Sequence, residues 1–74
     1  KSNYVMHVVN SIGDAISYST ALAMLSNMES ENIVTHREKN IMCAAVSDRI
    51  IPFNAPVKDN YRARVFKNML VSMI

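Results

Sequence analysis

The chain has 74 residues, half of them hydrophobic and 19% charged, with a formal charge of +2 and one cysteine. That length holds one domain, residues 1–74, and a domain of this size buries only about 60% of the surface its unfolded chain exposes. The weak positive charge excludes a densely basic nucleic-acid binder, the lone Cys43 excludes an internal disulfide, and no apolar run reaches the ~20 residues needed to cross a bilayer. A reducing compartment, the cytoplasm, is the expected location.

With one glycine, two prolines and no alternating polar and apolar stretch, the composition predicts an all-α fold, a small bundle of three to four helices that self-association would complete. The first periodic stretch runs from Asn3 to Met28, with Val5, Val8, Val9, Ile12, Ala15, Ile16 and Leu22 at helical spacing. Gly13 interrupts it, and Ser11 with Asp14 resembles a capping box, so one kinked helix and two consecutive helices both fit. After Ser17 the apolar set of Tyr18, Leu22, Leu25 and Met28 wraps much of the circumference, as in a helix central to a bundle or held between subunits.

Residues 26–32 are the most polar stretch and read as a turn. Thr35-His36-Arg37-Glu38 matches a capping box, in which the Thr35 hydroxyl accepts from the Glu38 amide and the Glu38 carboxylate accepts from Thr35. The helix behind it carries Ile41, Met42, Ala45, Val46 and Ile50 on one face, and Pro52 is expected to stop it, because a residue before proline is driven out of the helical region. A start nearer Ser30 is the alternative. Arg49 then lies where a helix dipole favours a cation.

The last helix is expected to begin at Pro56 or after Asp59. Its stripe of Val57, Tyr61, Val65, Phe66, Met69, Leu70 and Met73 lies opposite Lys58, Arg62, Arg64 and Lys67. The apolar finish from Met69 to Ile74 must bury against this domain, a second copy or another segment.

Catalytic and metal chemistry find little support. His36 and Cys43 stand seven residues apart, two helical turns, and no CxxC or HxxxH spacing offers zinc its four close ligands. Cys43 lies between Met42 and Ala44, an apolar setting that keeps a thiol protonated and inert. Gly13 alone makes no phosphate loop. No enzyme activity, cofactor or metal is expected.

The remaining signal is apolar, methionine-rich surface on helices too few to hide it. The expected function is a small regulatory, adaptor or inhibitor-like module that binds a protein partner, foremost a second copy of itself, through Tyr18, Leu25, Met28, Phe66, Met69, Leu70 and Met73. The competing expectation is a DNA- or RNA-binding domain that uses the basic face of residues 58–68, namely Lys58, Arg62, Arg64 and Lys67. Against it, Arg64 lies about 200° around the helix from Arg62, which spreads the charge.

Overall fold

A computed structural model describes residues 2–74, which form four helices and no strand: α1 (Asn3–Gly13), α2 (Tyr18–Ser30), α3 (His36–Ala45) and α4 (Tyr61–Met73). The all-α bundle expected from composition is the observed architecture.

Short polar side chains set the helix starts. The Ser2 hydroxyl accepts from the Val5 amide at 3.1 Å and the Ser17 hydroxyl from the Thr20 amide at 3.2 Å, each satisfying a donor that a helix N-terminus leaves free. At α3 both halves of the expected capping box form: Glu38 N donates to Thr35 Oγ1 at 3.0 Å, and Thr35 N donates to Glu38 Oε1 at 2.8 Å. α4 starts at Tyr61 behind Asn60, whose side chain makes no capping bond. That is five residues after Pro56 and two after Asp59, the two expected starts.

Of the two readings of the first stretch, two helices are realised, but not by the box at Ser11. The Ser11 hydroxyl donates back to the His7 carbonyl at 2.8 Å, so Ser11 belongs to the interior of α1. The chain breaks after Gly13, against which α4 lies close: a Cβ built on Gly13 would overlap the Lys67 methylenes. Glycine is required there for the close approach of two helices, not for an unusual dihedral.

The turn expected over residues 26–32 is shorter than the polarity suggests, because α2 continues to Ser30. Asn32 then enters the left-handed region at φ 61°. Its amide reaches the Glu29 carbonyl at 3.0 Å, and the Ile33 amide reaches the Met28 carbonyl at 2.9 Å. These paired bonds make a Schellman motif, and asparagine is the residue other than glycine that most readily takes its left-handed position.

α3 ends at Ala45, well before Pro52, so the expected helix over residues 46–51 is not formed. The amides of Ile50 and Ile51 both turn back to the Ser47 carbonyl, at 2.9 and 2.8 Å. The carbonyls beyond α3 instead face a side chain from α4. Arg62 donates from Nε to the Val46 carbonyl at 3.3 Å, and from Nη2 to Ile51 at 2.7 Å and Pro52 at 3.3 Å. A helix would direct those carbonyls along its own axis, out of reach of one guanidinium.

Cross-links between helices fix the topology. The Tyr4 hydroxyl donates to the Glu31 carboxylate, joining the start of α1 to the end of α2. Glu29 receives His36 Nδ1 and Lys39 Nζ, each at 2.8 Å, across the α2–α3 turn. At the other end the Tyr18 ring, on the first residue of α2, lies 5.9 Å from that of Phe66 on α4, and Arg62 meets the carbonyl just past α3. The helices therefore alternate in direction, and residues 46–60 cap the end where α1 and α3 finish and α2 and α4 begin. α2 and α4 each pack on the other three helices. Between them lies a core of Val9, Ile12, Leu25, Met28, Met42 and Phe66, closed by Leu70 and Val46.

Three outcomes follow from this packing. Gly13→Ala gains helix propensity but meets Lys67, so it should lower stability in urea titration, and adding Lys67→Ala should recover most of the loss. Arg62→Ala strips the donor from three carbonyls, and its expected cost in the same titration is about 2–4 kcal/mol, whereas alanine at the exposed Lys58 should change little. Glu29 is held below the usual carboxylate range, first by its hydrogen bond from Lys39 and then by that from His36. A depressed carboxylate contributes stability above its unfolded pKa and loses it as pH falls through the folded one. Between pH 6 and pH 3 the wild type should therefore lose more melting temperature than Glu29→Gln.

Candidate interaction surface

The described residues hold no group of three or more potential ligands that could seat a metal ion. The Cys43 thiol is half-buried, and burial pushes its pKa up, with Lys39 opposing weakly, so it is poorly disposed to act as a nucleophile at neutral pH. His36 engages Glu29 rather than Cys43. The geometry directs attention to surfaces instead of reaction centres.

The residues expected to dock a partner are for the most part inside. Leu25, Met28, Phe66 and Leu70 are fully buried in the chain's own core, which corrects their placement on an open face. The reason is that the stripe of α4 has α1 and α2 to pack on within the same chain, so it needs no second copy to cover it. Tyr18 and Met69 are partly buried against that core, and Tyr18's phenol is held above its ordinary pKa chiefly by this burial. Met73, 36% exposed, is the one member of the set that is open to solvent. Met28 and Met42 fill the interior, and Met6, Met24 and Met69 are half-buried, so methionine serves mainly as core filler.

The basic set also divides. Arg62 is 9% exposed and committed to the three carbonyls of residues 46–52, with the Phe53 ring 5.3 Å from Cζ, so its expected place on a phosphate-binding face is corrected as well. Lys58 and Arg64 are exposed and Lys67 lies half-buried along Gly13. Arg64 and Lys67 border a groove of about 500 Å³ with Asp14, Tyr61 and Asn68. The Asp14 carboxylate and the carbonyl end of α1 make this groove electrically mixed instead of uniformly positive.

Total accessible surface is 4764 Å², close to the ~4,600 Å² that the size scaling gives for a compact monomer of this mass. The chain thus covers itself well, and the apolar side chains it leaves most open gather at one end, although Tyr4, Ile41, Val71 and Met73 are also exposed elsewhere. Ile16, Phe53 and Ile50 are 81%, 74% and 66% exposed, the most open of the large hydrophobics. Ile16 sits on the α1–α2 corner, Ile50 and Phe53 on the capping segment, and the exposed Tyr61 opens α4. All four occupy the same end of the bundle.

Sequence reasoning missed this group because Ile16 and Ile50 fit the periodic stripes of helices that end before reaching them. Phe53, between Pro52 and Asn54, was the available signal: an aromatic residue in a proline-flanked turn has few helical neighbours to bury it.

No helix among the described residues is long and apolar enough to cross a membrane. Neither curated proteins nor solved structures supply a match. A family profile described as the CtsR C-terminal dimerization domain matches residues 1–71. That profile bears out the expected homo-oligomeric partner, and since it spans nearly the whole chain, the chain belongs to the CtsR C-terminal dimerization domain family.

Proposed function

We propose that this chain is the self-association module of a cytoplasmic regulatory protein and acts by joining two copies, not by chemistry. Membership of a family defined by dimerization is the observation that carries this reading. The CtsR family is one of transcriptional regulators, not of enzymes. In such a protein, pairing two copies sets the symmetry and spacing with which two halves of a DNA site are met.

The structure supports a rigid coupling element. The core is contributed by all four helices, and among the described residues no buried side-chain polar atom lacks a hydrogen-bond partner. Such a unit unfolds as a whole and can transmit a fixed geometry from one copy to the other.

The competing reading, DNA or RNA bound directly along Lys58, Arg64 and Lys67, retains three cations after Arg62 is withdrawn into the fold. Salt separates the two, because phosphate contacts release counterions and weaken steeply with ionic strength, whereas apolar association does not. Sedimentation equilibrium over a range of protein concentrations should return about twice the 8.3 kDa chain mass and change little when salt is raised from low to near-molar. A chain that stays monomeric throughout, or one whose only association is with nucleic acid and vanishes with salt, would overturn the reading.

A further inference from the structure

We infer that the capped end of the bundle, centred on Ile16, Ile50, Phe53 and Tyr61, is where the second copy docks, as a two-fold contact of this end with itself. This rests on the proposed dimerization and adds its location. A partner seated here would cover three side chains that are each about two-thirds or more exposed, at the end where residues 46–60 already form a braced platform over Arg62. The hydrogen bonds and ring stacking that hold this platform fix the positions of Ile50 and Phe53 before association, which lowers the ordering cost of binding.

Charge indicates why the occupant is another copy. In a two-fold contact a surface meets itself, so a rim of one sign repels and a rim of balanced sign can pair. All three aspartates of the chain, Asp14, Asp48 and Asp59, lie at this end, together with Arg49, Lys58 and Arg64. The six are exposed, and none forms an ion pair among the described residues. The opposite end differs: its three glutamates are at the turns, and all three are already occupied, Glu29 by Lys39 and His36, Glu31 by the Tyr4 hydroxyl and Glu38 by the Thr35 amide. Exposed apolar side chains sharing one end with unpaired charges of both signs suit a self-complementary interface.

The test compares Ile16→Asp and Ile50→Asp with Val71→Asp, which places the same charge on an exposed residue near the far end of α4. Sedimentation equilibrium gives the dimer dissociation constant, and circular dichroism checks that each variant keeps wild-type helicity. Either end variant should raise the constant by at least ~30-fold, as for loss of an interface hot spot, while Val71→Asp leaves it within about threefold. Independently of any variant, methyl NMR of the wild type on dilution through the dissociation constant should move the Ile16 and Ile50 signals and leave Val71 in place. If the wild type dimerizes but Val71→Asp dissociates it, or if the Val71 methyls are the ones that move, the location is wrong and dimerization stands. A wild type that is monomeric at every concentration removes dimerization itself.

Discussion

One guanidinium organises an end of this molecule. Arg62 reaches out of the first turn of α4 and gathers the carbonyls of Val46, Ile51 and Pro52, so that a segment with no secondary structure of its own is tied to the helix that follows it. Hydrogen bonds from a charged donor are roughly twice as strong as neutral ones, and a nearly buried cation must have its donors used. The consequence runs in both directions. The segment cannot leave without stranding the charge, and α4 cannot begin elsewhere without losing the segment. Arg62 thereby determines where α3 stops, where α4 starts and what the end of the bundle shows to solvent.

This constraint also explains what was legible in the sequence and what was not. Features decided within a few residues were readable: the Thr35 and Glu38 box and the helical character throughout follow from local chemistry. Features decided across the chain were not. The carbonyl just past α3 is met by a side chain sixteen residues further on, so the sequence points to Pro52 as the stop whereas the helix ends at Ala45. Helix periodicity correctly found the apolar stripe of α4, but periodicity cannot say whether a stripe meets its own chain or another. Leu25, Met28, Phe66 and Leu70 meet their own.

The same distinction governs the functional reading. The apolar surplus of the sequence predicts association, and the family profile agrees that the partner is a second copy. The structure reassigns the surplus: most of it is spent inside, and the most exposed of the remainder, Ile16, Phe53 and Ile50, lie on the corner between α1 and α2 and on the capping segment. Irregular segments are well suited to such a role when a rigid scaffold positions them. Here the scaffold is a close-packed helix bundle, and the positioning device is the Arg62 side chain.

The unequal lengths of the connections have a consequence for the order of assembly. α1, α2 and α3 are joined by tight turns and can pair as they leave the ribosome, since neighbouring contacts form before distant ones. Yet Phe66 and Leu70 arrive last, behind the long connection, and until they do their seat among Val9, Ile12 and Leu25 stands open to water. The half-made chain therefore exposes core surface that the finished one hides, and it is in the interval before α4 emerges that this protein is most open to aggregation.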